Sequence, residues 1–228
     1  MLKLTPILLA IVYALIMYRF SVWRTKSELR EKSTPLTDPR MMPALRQMAD
    51  ALDLEQIKVL VYEIEPVNGL AAPDGRIYLT RGFMNKFNHG DVSVDELASV
   101  VAHELGHVAL GHSRRRMIDF SGQNALRVAL AMILGRFLPG IGVYLANFLT
   151  TMLAARLSRT DEFEADAYAA ALLTKSGIGT AGQKRLLEKL EQMSGSAKRP
   201  MAWLMSHPKT AQRVAAIEKL EKTWSVSN

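Results

Sequence analysis

No cysteine occurs among the 228 residues of the chain. A disulfide scaffold and a thiolate-bound zinc site are therefore excluded, and any zinc ion must be held by histidine, aspartate or glutamate. The chain also lacks a nucleic-acid motif and a basic stripe interleaved with aromatic residues. The formal net charge of +7 therefore indicates contact with an anionic membrane surface rather than with nucleic acid.

An apolar stretch at the start of the chain predicts a membrane anchor. Residues 1–23 carry only two charged side chains, Lys3 and Arg19, although the uninterrupted apolar part is a little shorter than the ~20 residues of a typical spanning helix. Tyr18 and Trp23 lie where aromatic residues flank a membrane span. A cleaved signal peptide is the rival interpretation, but no small-x-small cleavage site follows the apolar run.

Basic residues follow this stretch and predict its orientation. They are Arg24, Lys26, Arg30 and Lys32, together with Arg19 at the end of the apolar run. Because positive charge flanks the cytoplasmic side of membrane spans, we expect a single-pass protein whose folded domain is cytoplasmic. A periplasmic or exported domain is the alternative.

The remaining sequence predicts a mainly helical α+β domain with a small β-ribbon. Residues 24–41 are polar and contain two prolines, which is typical of a linker, and the folded domain is expected at 42–224. Residues 57–64 and 76–80 read as two short strands, and the turn-forming stretch between them predicts an antiparallel pair. Helices are predicted at 42–52, 93–110, 124–136, 141–157, 162–175, 182–193 and 210–222, and Gly177 is expected to end the fifth of them.

The second apolar block, residues 125–153, has two interpretations. An Arg-Phe-Leu-Pro-Gly segment at 136–140 divides it into two helices, neither of which is long enough to span a bilayer. We favour two core helices of the domain. The alternative is a hairpin that dips into the membrane surface beside the anchor.

The sequence His-Glu-Leu-Gly-His at 103–107 predicts a zinc site with hydrolytic chemistry. Ser93 and Glu96 form a capping box that begins its helix. Residues four apart lie on one helix face, so His103 and His107 project together and can bind one zinc ion. Glu104 lies beside them, where it can take a proton from a zinc-bound water that attacks a peptide carbonyl, and pass that proton to the leaving amine.

A catalytic zinc needs a third protein ligand, and Glu162 is the candidate. Glu162 and Asp166 share one helix face, so Asp166 can accept a hydrogen bond from the second ring nitrogen of a zinc histidine. An acidic helix start stabilised by the helix dipole is the alternative for this cluster. His112 is interpreted as a polar residue at a helix end, and Glu164 as a solvated helix charge.

HELGH followed by E-x-x-A-D at 162–166 resembles the HtpX / CAAX prenyl protease-like family of membrane-associated zinc metallopeptidases, the gluzincins. Residues 68–82 are similar to the family's N-A-x-A-x-P-G-G-x-I-x-V-x-x-G segment, and residues 206–213 to its late H-P-x-x-x-x-R motif. The resemblance implies a zincin-like fold in which Glu162 is the third ligand of one zinc ion per chain. The several long membrane spans of HtpX are lacking here, so single-anchor or periplasmic relatives are the better comparison.

The resemblance also implies a substrate-binding strand and two further candidate catalytic residues. The strand would be an edge to which an extended polypeptide adds, and its residues are Arg76, Ile77, Tyr78, Leu79 and Thr80. His207 would stabilise the oxyanion of the reaction or plug the open position of zinc, with a helix-capping role as the alternative. Arg213 would form a positioning ion pair, with a surface charge as the alternative.

Together these features predict a zinc endopeptidase that is held to membrane lipid by one N-terminal helix. We expect it to cleave unfolded or misfolded membrane-associated proteins. A chaperone-like holding protein that uses the same groove is the alternative from another class, but such a protein would not need the general base Glu104. A zinc-dependent hydrolase of a non-peptide substrate is a third possibility.

Overall fold

The computed structural model describes residues 27–72, 74–112, 126–128, 130–196 and 210–226, together with six isolated positions before residue 27. The strands are Ser33–Pro35 (β1), Val59–Tyr62 (β2), Gly69–Ala71 (β3) and Ile77–Thr80 (β4). The labelled helices are Met42–Ala51 (α1), Arg81–Asn88 (α2), Val94–Ala109 (α3), Gly142–Lys175 (α4), Ala181–Ser196 (α5) and Thr210–Val226 (α6). The described residues at 27–31 and 130–137 are helical as well. This mostly helical arrangement with a small sheet confirms the predicted α+β class.

The four strands form one mixed sheet in the order β1-β2-β4-β3. β2 and β4 run parallel, with Val59 opposite Ile77, so the predicted antiparallel ribbon is wrong. The reason lies in their connection, where β3 forms a strand of its own and pairs antiparallel with β4. This stretch was expected to be only a turn because glycine, proline and aspartate have low strand propensity.

The predicted substrate-binding strand, Arg76–Thr80, is not an edge of this sheet. β4 has β2 on one side and β3 on the other, and Ile77, Tyr78, Leu79 and Thr80 are all 0% exposed. The prediction of a substrate edge there is therefore wrong, because the backbone groups of β4 face two protein neighbours. On this side of the sheet the edge strand is β3, which lies beside α3.

Part of the predicted linker, residues 24–41, belongs to the folded domain. β1 pairs antiparallel with β2, and Leu29, Leu36 and Met41 are buried. A proline-containing segment can join a sheet when it forms a short edge strand, because an edge leaves some backbone N–H positions without a ladder partner. The packed structure therefore begins before residue 42.

α3 lies at the centre of the domain and carries the HELGH sequence. Its first turn has the predicted capping box, in which the Ser93 hydroxyl accepts from the Glu96 N–H and the Glu96 carboxylate accepts from the Ser93 N–H. Gly106 allows α3 to approach α4 closely, since a Cβ there would lie 3.0 Å from both Cα and the carbonyl oxygen of Ala165. This approach brings HELGH against the acidic segment at 161–166.

α4 is one continuous helix of 34 residues, whereas two helices, 141–157 and 162–175, were predicted. No glycine or proline interrupts the intervening residues, so the helix propagates through them. Gly177 ends this part of the chain as predicted, with φ +77 directly after the C-cap Ser176.

The apolar block at 125–153 is not a pair of core helices, so the favoured interpretation is wrong. Gly142, at the start of α4, lies against the Leu134 backbone so closely that a Cβ would collide with it. The large side chains point outward instead, with exposed fractions of 74% for Phe137 and 75% for Tyr144. Among the side chains of the block that the structure describes, the other large apolar ones exposed by more than half are Val128, Met132, Ile133, Ile141, Val143, Phe148 and Met152. The membrane-dipping alternative stays a prediction.

The predicted anchor, residues 1–23, falls almost entirely outside the described residues. Within the described part of the chain, no helix combines the length and the apolar character needed to cross a bilayer.

Candidate metal centre

α3 brings His103 and His107 together in the interior. Both side chains are buried, and their rings meet edge to face with centroids 4.7 Å apart. The two Nε2 atoms lie 3.1 Å from each other, whereas the Nδ1 atoms face Asp166 and His112. Since each ring presents the same nitrogen to the other, Nε2 is the atom that both histidines can offer to one cation.

Glu162, on α4, adds a carboxylate to this pair. Its Oε2 lies 3.3 Å from Nε2 of His103, and its Oε1 lies 3.4 Å from Nε2 of His107. In a tetrahedral zinc site with bonds of about 2.0–2.1 Å, neighbouring ligand atoms are about 3.3 Å apart. The Nε2–Nε2 separation and the contact of each Nε2 atom with one of the two carboxylate oxygens are all close to this length. The two imidazoles and the carboxylate therefore converge closely enough to hold one zinc ion, and they are a donor set that zinc accepts.

Glu104 follows His103 directly on α3. It is 2% exposed, and as the next residue along the helix it is rotated by about 100° from His103. The group of converging ligand atoms in the described residues comprises His103, His107 and Glu162, without Glu104. This placement suits a proton acceptor near a metal better than a metal ligand.

Asp166 and Arg213 hold His103 from the side opposite the ligand atoms. Oδ1 of Asp166 lies 3.0 Å from Nδ1 of His103 and accepts from Nη2 of Arg213 at 2.7 Å. Oδ2 accepts from Nε of Arg213 at 2.5 Å. Arg213 is 1% exposed and pairs with Asp166, so it is a buried ion-pair residue and not a surface charge.

Burial and hydrogen bonding set the charges of this cluster. Burial disfavours the ionised form of Asp166, yet its hydrogen bonds with Arg213 and His103 outweigh burial and lower its pKa to about 2. Burial opposes the charged form of His103 as well, but its contacts with Asp166 and Glu162 raise its pKa to about 9. In the metal-free protein His103 is therefore protonated at neutral pH, and a metal ion has to displace that proton.

His112 is a site residue that the sequence interpretation missed. It is 0% exposed, its Nδ1 lies 2.9 Å from Nδ1 of His107, and its Nε2 lies 3.0 Å from Oε2 of Glu164. Glu164 is thus a partner of the site and not only a solvated charge. The signal was Gly111, because a glycine directly before the histidine lets the chain leave the helix and turn back.

Two predicted site features, His207 and the segment Arg76–Thr80, are not found at the metal centre among the described residues. His207 lies outside them, so its place near the metal remains a prediction. The segment Arg76–Thr80 serves the sheet instead, where Thr80 caps α2 by accepting from the Phe83 N–H and Arg76 pairs with Asp74 at 2.7 Å.

The amino-acid sequence of the chain is similar to those of known proteins. Residues 35–221 match the family model described as Peptidase family M48. The chain is 30% identical over 178 residues to the metalloprotease LoiP of Escherichia coli (strain K12), which covers 78% of this chain and 68% of LoiP. It is 29% identical over 178 residues to the metalloprotease YcaL of the same strain, covering 78% of this chain and 67% of YcaL.

A protease HtpX homolog of Herminiimonas arsenicoxydans is 24% identical over 246 residues, which covers 93% of this chain and 82% of that protein. The M48 metalloproteases use zinc, which agrees with the donor set of the two histidines and the glutamate. The predicted resemblance to the HtpX-like metallopeptidases is thus confirmed. The chain belongs to peptidase family M48 and is a metalloendopeptidase.

Proposed function

We propose that this metalloendopeptidase uses one zinc ion, held by His103, His107 and Glu162, to hydrolyse peptide bonds of unfolded or misfolded membrane-associated proteins. The observation that carries the proposal is the convergence of two buried Nε2 atoms, 3.1 Å apart, with a buried carboxylate whose two oxygens lie 3.3 Å from one nitrogen and 3.4 Å from the other, which suits a single zinc ion. Glu104 is the general base in this proposal, and Arg213 acts through Asp166 on the orientation of His103.

The chemistry divides between the metal and the protein. Zinc, when bound, supplies Lewis acidity that polarises a peptide carbonyl and lowers the pKa of a coordinated water to about 7. Glu104 takes one proton from the attacking water and delivers it to the amine nitrogen as the peptide C–N bond breaks. Because Glu104 is 2% exposed, these proton transfers take place away from bulk water, where charges interact more strongly.

An extended substrate is proposed to pair with the outer side of β3. In an antiparallel pair, alternate residues direct their backbone groups to the partner strand. The Ala72 N–H donates to the Arg76 carbonyl at 2.9 Å, so the backbone N–H and carbonyl groups of residues 70 and 72 point towards β4. Ala71 therefore directs its N–H and carbonyl away from the sheet. Since β3 lies beside α3, a polypeptide added there would run past the metal centre.

Membrane association is proposed to involve the anchor at 1–23 and the exposed apolar block at 125–153. No acidic residue occurs from 120 to 160, and Arg127 and Arg136 lie among the apolar residues of the block, which favours an anionic lipid surface. We propose a cytoplasmic catalytic domain, with a periplasmic or exported domain as the alternative. An active periplasmic phosphatase fused to the C-terminus would overturn the cytoplasmic arrangement.

Cleavage of an unfolded protein such as casein tests the proposed activity. Zinc-loaded full chain should cleave it, and Glu104→Gln should keep its zinc while turnover falls by at least ~10²–10⁴-fold, the usual contribution of general acid–base catalysis. Glu218→Gln, the same substitution at an exposed position of α6, serves as the matched control and should keep wild-type turnover.

The same experiment separates the peptidase from the holding protein. If zinc-loaded wild type and Glu104→Gln suppress aggregation of casein equally and neither cleaves it, the peptidase proposal is wrong and the holding function stands.

A further inference from the structure

The two metal-binding histidines have different partners behind their rings. Nδ1 of His103 faces the Asp166 carboxylate at 3.0 Å, whereas Nδ1 of His107 faces another imidazole nitrogen, Nδ1 of His112, at 2.9 Å. A buried imidazole is stable only when its polar atoms have hydrogen-bond partners. Nε2 of His112 has such a partner in Oε2 of Glu164, at 3.0 Å.

These contacts determine which nitrogen of each ring carries the hydrogen. A neutral histidine that offers the lone pair of Nε2 to a cation carries its hydrogen on Nδ1. The Nδ1–H of His107 therefore donates to Nδ1 of His112, which has to be the acceptor. The hydrogen of His112 is then on Nε2, from which it donates to Glu164. Glu164 has a side chain 44% exposed, so this chain of hydrogen bonds leads from the metal centre to the protein surface.

We propose that His112 is a positioning residue of the metal centre. By accepting the Nδ1 hydrogen of His107, it holds that ring in the tautomer that directs the Nε2 lone pair at the metal. The proposal rests on the zinc site proposed above, and extends it to a residue that binds neither metal nor substrate.

The turn after α3 makes this contact possible. The helix ends at Ala109 with Leu110 as its C-cap, and Gly111 has φ +68. This left-handed conformation turns the chain away from the helix axis. On a continued helix, a residue five positions after His107 would be rotated by about 140° from it and would face elsewhere. Because the helix stops, the His112 ring returns to within 5.0 Å of the His107 ring, centroid to centroid.

The same hydrogen bonds argue against a second metal ion beside the first. His112, Asp161 and Glu164 have ligand atoms close enough together to hold a cation. A cation there would take the Nε2 lone pair of His112 and move its hydrogen to Nδ1. Two N–H groups would then face each other across the 2.9 Å between His112 and His107. Filling the second group therefore has to release His107, so the two metal ions should exclude one another.

Two substitutions separate the hydrogen bond from simple packing. His112→Phe keeps a ring of similar size and removes the acceptor, whereas His112→Asn keeps an acceptor oxygen close to the position of Nδ1. Loss of such a partner typically weakens metal affinity about 10–100-fold. We expect that loss in His112→Phe and recovery of most of it in His112→Asn, with zinc affinity measured by competition with a chelating dye. His89→Phe, at an exposed position, is the matched control and should keep wild-type affinity.

A measurement on the unmodified chain reads the tautomers directly and does not depend on how the variants fold. In zinc-loaded full chain labelled with ¹⁵N-histidine, long-range ¹H–¹⁵N spectra should show Nδ1–H for His107 and Nε2–H for His112. An Nδ1–H tautomer of His112 would overturn the proposal. So would wild-type zinc affinity in His112→Phe, or equal losses in His112→Phe and His112→Asn. A chain that binds no zinc would instead refute the proposed function, which keeps the two failures distinct.

Discussion

Replacing Asp166 by asparagine changes the metal centre without changing the size of the side chain. The carboxylate accepts hydrogen bonds from Nδ1 of His103 and from Nε and Nη2 of Arg213. Asparagine offers one acceptor oxygen and one NH₂ group, so in either amide orientation at least one N–H is placed against another N–H. Arg213 stays charged and buried, with Oε2 of Glu162 at 3.7 Å as a remaining acidic neighbour.

Two separate losses should follow from Asp166→Asn. Removing one member of a buried ion pair typically costs ~3–5 kcal/mol. The lowering of the Asp166 pKa from its ordinary 3.8 to about 2 corresponds by itself to about 2 kcal/mol. We therefore expect the free energy of unfolding of the zinc-free protein to fall by about 2–5 kcal/mol. Zinc affinity should fall about 10–100-fold in addition, because His103 loses the acceptor that orients it.

Urea unfolding of the zinc-free variants tests the reasoning. Asp166→Asn, Arg213→Gln and the double variant form a double-mutant cycle. Each single variant leaves one buried charged residue without its ion-pair partner, whereas the double variant removes both charges. The double variant should therefore be less destabilised than the sum of the two, by at least about 1 kcal/mol. If the losses are additive and below about 0.5 kcal/mol each, and Asp166→Asn binds zinc like wild type, Asp166 is only a helix-face charge and the argument fails.

Three further predictions follow from the packing, the charges and the sheet. Gly106→Ala should destabilise the protein by about 1–3 kcal/mol, because the new methyl group meets the Ala165 backbone at 3.0 Å. At Gly135 an added Cβ has no neighbouring atom within 4 Å, so Gly135→Ala should stabilise the protein by up to about 1 kcal/mol. Equal effects of the two substitutions in urea unfolding would contradict this. The folded-state pKa of His103 is raised from 6.5 to about 9, so its proton stabilises the zinc-free protein fully below pH 6.5 and this stabilisation is lost as the pH rises through about 9. The Tm difference between zinc-loaded and zinc-free protein should therefore widen over this pH range. A constant Tm difference would refute this prediction. Ala71→Pro removes an outward-facing N–H of β3 and should raise KM about fivefold, the equivalent of one hydrogen bond of about 1 kcal/mol, without loss of zinc; an unchanged KM would exclude β3 as the substrate edge.

The parts of the site that sequence reasoning anticipated depend on local geometry. Ser93 and Glu96 predict the helix start because a capping box needs only residues three apart. His103 and His107 share a face because they are four apart on one helix. Which histidine Asp166 contacts depends instead on the packing of α3 against α4 at Gly106, a contact between distant segments that no local pattern encodes.

The parts that sequence reasoning missed depend on non-local pairing or on a single backbone angle. Strand order cannot be read from propensity, so β4 was taken for an edge although β3 covers it. His112 was interpreted as a polar residue at a helix end, and the positive φ of Gly111 brings it back to His107. In the block at 125–153, helical apolar spacing indicates helices correctly at 130–137 and in α4. The same spacing does not tell whether protein or lipid covers the apolar faces of these helices.

Anomalous diffraction from crystals of the zinc-loaded protein, with data collected above and below the zinc absorption edge, tests the central claim most directly. That claim is that one zinc ion binds between His103, His107 and Glu162. We predict one zinc peak per chain, about 2.0–2.2 Å from Nε2 of each histidine and from a carboxylate oxygen of the glutamate. A zinc peak at His112 instead, or no zinc peak in protein that still cleaves peptides, would contradict the account.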